Sequence, residues 1–235
     1  MTLEQDDLVK RLARLETGQV SDVLDEAGFP NQVLDSRLAP LTAGTRVAGR
    51  AACARGERLM STATAEPASL PGDILESLAR RQAIIVIASG GFAAGSCLGG
   101  FVALSLKREG CRGVIVDAPV RDAEEIRATS LPVFCTSVNP VNGSRRWRLR
   151  EVDIPVFLPG LGGVDVRISP EDLILADADG IVVVPAAIAA AIIEDSEELK
   201  RIEGAIGTAM QAGAPRAEAF RANPRFAHIR RQDKR

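Results

Sequence analysis

VIVDAPVRD, at residues 114–122, is the stretch of sequence that decides the fold. Its first residues are β-branched and apolar, which favours a buried β-strand. Pro119 then predicts a tight turn, and the pair Arg121-Asp122 follows directly before a helix-like segment. We therefore expect the strand to deliver a cation and a carboxylate, side by side, to its own carboxyl end. Ligand sites of open α/β sheets form at that edge.

The pair Arg121-Asp122 has the chemistry to hold a small acid. A guanidinium binds a planar carboxylate through two parallel hydrogen bonds, and an Asp carboxylate is a ligand for hard divalent cations. Together the two side chains could bind and polarise a 2-oxo acid. The residues alone leave an alternative open, in which Asp122 caps the following helix and Arg121 makes a surface ion pair.

A glycine-rich segment, GSCLGG at residues 95–100, precedes a predicted helix over 101–108. It matches neither the GxGxxG dinucleotide pattern nor a P-loop, because no Gly-Lys-Ser/Thr follows. Backbone amides at such a helix start could bind an anion such as a carboxylate. Ordinary strand-to-helix turn chemistry explains the glycines equally well.

Composition excludes several classes of protein. The 235-residue chain is 46% hydrophobic and 26% charged with a formal net charge of −2, so we expect neither nucleic-acid nor membrane binding. Seven Phe, one Trp and no Tyr argue against base-stacking platforms. The charged amino terminus is unlike a secretory signal and no run of 18 apolar residues occurs, so we expect a cytoplasmic protein. One His and four cysteines without a CxxC pair argue against zinc and predict reduced, mostly buried thiols.

Along the chain, strands and helices alternate in the first half and short strands dominate the second. This order predicts parallel strands joined by helical crossovers, then a hairpin around DADG at 177–180, all within one domain covering residues 1–235. Turn signals predict a connection at 67–73. The predicted strands cover 45–53, 83–88, 113–117, 132–135, 147–157, 164–168, 173–176 and 181–184, and the predicted helices cover 3–15, 20–27, 101–108, 122–128 and 186–212; 74–81 fits either.

Three polar features are interpreted as solvent-facing or structural. The segment 213–235 has seven Lys or Arg against two acids, which predicts a loosely ordered or partner-contacting basic extension. His228 within it is interpreted as solvated, and Asp177, Asp179 and Gly180 as a turn rather than a metal loop. Glu197, Glu198 and Glu203 are expected on the wet face of the last helix.

Four segments carry a family resemblance. The chain resembles the family of the regulator of ribonuclease activity A (RraA) and the 4-hydroxy-4-methyl-2-oxoglutarate aldolases over about residues 15–205. The resemblance implies an α/β fold, a single-domain α/β/β/α sandwich resembling a swivelling β/β/α domain, with helical N- and C-terminal extensions. It also implies homotrimers, or homohexamers built from trimers, with sites near subunit boundaries. The matching segments are TGQVSDVLD at 17–25, the helix over 99–110, GVIVDAPVRD at 113–122 and PEDLILADADGIVVVP at 170–185.

The resemblance also implies roles for individual residues. Asp122 would bind Mg²⁺ or Mn²⁺, and Arg121 would contact a 2-oxo acid substrate; both would be catalytic. Backbone amides near residues 97–101 would bind the pyruvate carboxylate, with Gly99, Gly100, Phe101 and Val102 as substrate-binding positions. Such a site supports aldol cleavage or oxaloacetate decarboxylation, because both proceed through a pyruvate enolate.

One position departs from the aldolase pattern. These aldolases have an acidic residue separated from Arg-Asp by twenty residues, and Gly100 stands there. A carboxylate from a neighbouring subunit, at Glu197, Glu198 or Glu203, could replace it. Three hypotheses follow. The chain is a metal-dependent lyase, or it is a lyase of altered substrate in which Gly100 makes room for a bulkier group. Alternatively, it is a non-catalytic regulatory protein that contacts a protein partner such as a ribonuclease.

Overall fold

The computed structural model describes residues 3–59, 70–71 and 73–232. Of the connection predicted at 67–73, residues 67–69 and 72 lie outside the described residues. The helices are α1 (Leu3–Leu12), α2 (Thr17–Glu26), α3 (Ile74–Ala79), α4 (Gly100–Arg108), α5 (Ala123–Ala128), α6 (Ala189–Gln211) and α7 (Arg216–Ala222). The strands are β1 (Ala39–Pro40), β2 (Val47–Arg58), β3 (Ile84–Ala88), β4 (Gly113–Val116), β5 (Pro119–Val120), β6 (Val133–Cys135), β7 (Ser137–Val138), β8 (Trp147–Val152), β9 (Val156–Leu158), β10 (Val166–Ile168), β11 (Leu173–Ala176) and β12 (Ile181–Val184).

The main sheet has the strand order β1-β6-β4-β3-β2-β11-β12, and β8 also pairs with β2. The neighbours β2/β3, β3/β4 and β4/β6 are parallel, which confirms the predicted crossovers. The strands β11 and β12 form the predicted antiparallel hairpin, with Leu173 opposite Val184 and Ala176 opposite Ile181. Hairpin and parallel strands join because β11 pairs with β2.

Side-chain alternation along β3 shows how the layers are arranged. Ile85 and Ile87 belong to a buried cluster with residues of α3, α4 and α5, whereas Ile84 and Val86 face a second cluster with β9, β10, β11 and β12. Because both faces are covered, the strand is apolar without interruption. The other side of the hairpin packs on α1, α2 and α6 in a third cluster. The resulting order of layers is the expected α/β/β/α sandwich.

The carboxyl-terminal segment is ordered, so the prediction of a loosely ordered extension is wrong for residues 213–232. Here α7 is followed by a strand-free segment in which Arg225 binds Asp22 and Glu203 at 2.6 and 2.5 Å. Arg230 binds Asp195 at 2.7 Å. Two of the basic residues, Arg225 and Arg230, are therefore paired with acids of α2 and α6, which composition alone does not reveal.

Two further interpretations of polar residues are corrected by the same packing. His228 is half-buried and its Nε2 lies 2.9 Å from the carbonyl oxygen of Asp195, so it is not a solvated side chain. Glu197 binds Arg11 at 2.6 Å and Glu203 binds Arg225, so these glutamates tie elements of one chain together. Within the described ranges, no helix is both long and apolar enough to span a membrane.

Candidate active site

The ends of β3 and β4 are tied together by Asp117. Its buried carboxylate accepts hydrogen bonds from the backbone amides of Ser89 and Gly91, the second at 3.2 Å. The Ser89 hydroxyl donates in return to the carbonyl oxygen of Asp117 at 3.1 Å. Asp117 therefore has a structural role: it fixes the carboxyl edge of the sheet from which Arg121 and Asp122 project.

The turn before α4 is fixed to the segment that carries Arg121. Leu98 forms a parallel bridge with Val120, and the amide of Arg121 donates to the carbonyl oxygen of Leu98 at 3.0 Å. The amide of Cys97 donates to Pro119 at 2.9 Å. These backbone bonds place the start of α4 directly beside Arg121 and Asp122, an arrangement that the family resemblance implied.

Asp122 has an unusual backbone and an unusual partner. Its φ of 58° and ψ of 44° lie in the left-handed region, which Asp tolerates better than most residues. Although it occupies the N-cap position of α5, its side chain makes no capping bond to that helix. Instead its Oδ2 accepts a hydrogen bond from the amide of Gly100 at 3.2 Å and lies 3.4 Å from Nε of Arg121. The carboxylate is thus directed at α4, which the capping alternative does not explain.

A cavity of about 650 Å³ opens at this place. One wall contains both members of the Arg-Asp pair, whose side chains are 34% and 35% exposed. The start of α4 supplies Gly99, Phe101 and Val102 to the same cavity. Five of the six predicted site residues therefore share one cavity, and its volume suits a small organic acid.

Gly100 does not line the cavity and makes no room in it. It is buried, and a Cβ at this position would lie 2.9 Å from Cβ of Glu125 and collide with Oε2 of Glu125. Glu125 follows Asp122 by three residues on α5, so its side chain fills the space that glycine leaves. The reading in which Gly100 admits a bulkier substrate group is therefore wrong.

A further part of the cavity lining comes from a segment that sequence reasoning missed. Asn142, Ser144, Trp147, Arg148 and Leu149 line the cavity. Its position is fixed by the bridge between Ser96 and Asn142, by the pairing of β8 with β2, and by the Trp147 indole, which donates to the carbonyl oxygen of Ser89 at 3.1 Å. This segment lies far from α4 in the sequence, so no local sequence pattern could have indicated that it lines the same cavity.

Cys97 also lines the cavity, but its thiol is not activated. Burial, aided by the negative charge of Asp117, raises the pKa of the Cys97 thiol far above its ordinary value. Burial likewise raises the pKa of Cys53 to about 12. These thiols stay protonated at neutral pH and are poor nucleophiles.

The donor set suits a hard divalent ion better than zinc. Among the residues that the structure describes, no group of three or more His, Cys, Asp or Glu could hold a metal ion. Two carboxylates, Asp122 and Glu125, lie against the start of α4. Mg²⁺ and similar ions bind through one or two carboxylates and complete their shell with water and substrate oxygens, so this site fits Mg²⁺ or Mn²⁺.

Comparison with known proteins identifies one family model and several relatives. The family model RraA-like (Aldolase/RraA) matches residues 17–183. A protein of Halalkalibacterium halodurans, named "Putative 4-hydroxy-4-methyl-2-oxoglutarate aldolase", is 31% identical over 188 residues, covering 79% of this chain and 80% of its own. Protein DlpA of Legionella pneumophila is 26% identical over 90% of this chain, which spans only a third of DlpA.

The structural neighbours confirm the fold. The crystal structure of Streptomyces coelicolor RraAS2, an unusual member of the RNase ES inhibitor RraA protein family, has a TM-score of 0.71 and 27% identity. It covers 84% of this chain and 95% of its own. An uncharacterized Pseudomonas syringae protein has a TM-score of 0.74 at 22% identity, with coverage of 91% and 96%. The names among these relatives include both an aldolase and a ribonuclease inhibitor family.

Proposed function

The chain belongs to the RraA-like family, and we propose on that premise that it is a divalent-metal-dependent lyase of a small 2-oxo acid. The proposed reaction breaks a carbon–carbon bond of a 2-oxo mono- or dicarboxylic acid through a pyruvate-type enolate, as an aldolase or an oxaloacetate decarboxylase does. The observation that carries the proposal is the placement of Arg121 and Asp122 in one cavity, beside the first turn of α4. Relatives named as aldolases support it.

In this mechanism the chain first orients the acid. The Arg121 guanidinium pairs with the substrate carboxylate, because its planar fork matches two carboxylate oxygens. The amides of Phe101 and Val102 lie in the first turn of α4, where no carbonyl of the same helix accepts their hydrogen bonds. They point the positive end of the helix towards the same negative charge.

Asp122, with Glu125 nearby, would hold Mg²⁺ or Mn²⁺. The ion supplies Lewis-acid polarisation of the 2-oxo oxygen when it is bound. Arg121 neutralises the carboxylate next to the reacting bond and keeps the substrate in one orientation as the bond breaks. Trp147 and Leu149 contribute apolar wall, which strengthens these electrostatic interactions by excluding water.

We propose further that the chain forms a homotrimer, or a homohexamer built from trimers, with the site near a subunit boundary. The cavity lies beside apolar side chains that one chain leaves uncovered. Phe101 is 84% exposed, and Leu104 and Val138 are 48% and 50% exposed. Exposed apolar side chains grouped in this way are typical of surfaces that are covered in an assembly.

Pyruvate formation tests the proposed reaction. The purified protein is incubated with Mg²⁺ or Mn²⁺ and a series of 2-oxo dicarboxylates, and pyruvate is followed by a coupled reductase. We expect metal-dependent pyruvate release from at least one of these acids, and its loss in Asp122→Ala. Full turnover by Asp122→Ala would show that the assigned role is wrong.

The second candidate function is a regulatory protein that binds a partner and catalyses nothing. It is favoured by the likeness to RraAS2, an unusual member of the RNase ES inhibitor RraA protein family. A pull-down with a purified ribonuclease tests it, comparing the native chain with one carrying Arg216→Glu and Arg221→Glu. These two arginines are exposed on α7, whereas Arg225 and Arg230 anchor the extension and must stay. If the native chain captures no ribonuclease, or if the double variant captures it equally well, the basic extension is not a binding surface for this partner.

A further inference from the structure

Two adjacent glycines at the start of α4 need an explanation other than backbone conformation. Gly99 has φ −132° and ψ 175°, and Gly100 is an ordinary residue of the helix, so neither adopts the left-handed region that favours glycine. A residue with a side chain could adopt both conformations. The reason for two glycines must therefore be space.

That space is filled by two carboxylates. A Cβ at Gly99 would lie 3.0 Å from Oδ2 of Asp122, and a Cβ at Gly100 would collide with Oε2 of Glu125. Oδ2 of Asp122 is also the acceptor of the Gly100 amide. Both carboxylates thus lie against the same pair of glycines, one from the N-cap position of α5 and the other from its first turn.

Glu125 differs from its neighbour on the same helix. Glu124 is paired with Arg127 at 2.5 Å. The side chain of Glu125, by contrast, makes no hydrogen bond or ion pair with any residue that the structure describes. Its carboxylate lies against Gly100 and that of Asp122 lies against Gly99, and two negative charges placed against adjacent residues repel one another at an electrostatic cost. A cation bound between them would remove that cost.

From this geometry we infer that Glu125 is a second carboxylate for the divalent ion at Asp122, contacting the ion directly or through its water. This inference rests on the proposed function, because that function brings the ion to Asp122. Glu125 supplies from α5 an acidic group that α4 does not carry at Gly100. The Gly99-Gly100 pair then serves to seat both carboxylates.

A purely structural role for Glu125 predicts a different result. A carboxylate at the amino-terminal end of α4 stabilises the helix through its dipole, with or without metal. Metal affinity separates the two roles. Groups that orient a metal or its water typically change affinity by about 10–100-fold when they are removed.

Mn²⁺ binding, measured by electron paramagnetic resonance and calorimetry, tests the inference. We expect Glu125→Gln to weaken Mn²⁺ binding about 10–100-fold, Asp122→Asn to abolish it, and the matched control Glu124→Gln to leave it unchanged. Gly100→Ala should weaken binding because its methyl group displaces Glu125. The double variant Gly100→Asp/Glu125→Gly, which moves the carboxylate from α5 to α4, should recover much of the lost affinity.

Equal Mn²⁺ affinity of Glu125→Gln, Glu124→Gln and the native chain would overturn the inference, as would an absence of Mn²⁺ binding by the native chain. The proposed function fails separately. Suppose that Glu125→Gln weakens Mn²⁺ binding but the native chain releases no pyruvate from any 2-oxo acid. The role of Glu125 in metal binding is then supported, and the proposed lyase reaction is rejected. Unfolding temperatures measured without metal verify that each variant is folded.

Discussion

Asp122 and Asp177 both follow buried strands in tight turns, yet the structure uses them in opposite ways. The Asp177 carboxylate accepts hydrogen bonds from the amide and hydroxyl of Thr17 at 3.0 and 2.6 Å and from the amide of Asp179 at 3.0 Å. Only 10% of its side chain is exposed. Asp122 accepts one amide hydrogen bond and leaves 35% of its side chain exposed within a cavity.

The difference lies in what the protein itself donates to each carboxylate. Burial alone would raise the pKa of Asp177, but hydrogen bonds from Thr17 and Asp179, with Arg46 nearby, hold its pKa below the ordinary value. A carboxylate so fully engaged has little capacity left for a ligand. Asp122 retains that capacity, which makes the same residue type structural in one turn and a site candidate in the other.

The largest effect is expected at Asp122. Asp122→Asn should lower metal-dependent pyruvate release by about a hundredfold or more, because loss of a direct metal ligand should cost at least as much as loss of an outer one. Its free energy of unfolding should change by less than about 1 kcal/mol, since only one amide hydrogen bond is weakened. Steady-state kinetics and urea unfolding give the two values. A large loss of stability with unchanged turnover would show that Asp122 has a structural role, as Asp177 does, and no role in the reaction.

Asp177 should behave in the opposite way. Asp177→Ala leaves the buried Thr17 hydroxyl and amide without their acceptor, so we expect the free energy of unfolding to fall by about 3 kcal/mol. Turnover per folded molecule should stay near the native value. Urea unfolding and kinetics at a temperature well below the transition measure both, and a selective loss of turnover would contradict the structural assignment.

Asp195, like Asp177, is a carboxylate that is bound by other residues of the protein. Arg230→Ala removes the guanidinium that binds Asp195, whose side chain is only 6% exposed. Because Arg230 is itself half-exposed, we expect a smaller loss of stability from the uncompensated carboxylate than in Asp177→Ala. Thermal unfolding of this variant beside Arg201→Ala, whose partner Glu198 lies on the same exposed helical turn, isolates the effect of burial. Equal losses would show that the extension contributes no buried contact.

At acid pH the difference in the free energy of unfolding between the native chain and Asp177→Ala should become smaller. The folded-state pKa of Asp177 is lowered, whereas an unfolded Asp has a pKa of about 3.9, so the unfolded state binds more protons between these values. The stabilisation is fully present above about pH 4–5 and is lost as the pH falls through the folded-state pKa. Urea unfolding at pH 7 and at pH 3 measures the narrowing. A larger difference in the free energy of unfolding at pH 3 than at pH 7 would contradict the lowered pKa of Asp177.

Local patterns were sufficient for the parallel strands and the hairpin, because in each case a buried apolar run ends in a turn. The meeting of Arg121-Asp122 with the start of α4 was implied by the family resemblance and not by local patterns alone. The wall around Trp147 could not be predicted, because only the pairing of β8 with β2 brings it to the cavity. Glu125 could not be predicted either, since its position against Gly100 exists only after α4 and α5 have packed.

A crystal structure with Mn²⁺ and oxalate, a stable mimic of the pyruvate enolate, tests the central claim most directly. We expect anomalous density for Mn²⁺ at the Asp122 carboxylate, with oxalate between Arg121 and the first turn of α4. Mn²⁺ bound elsewhere, or oxalate absent from this cavity while Arg121 and Asp122 keep their present contacts, would contradict the account.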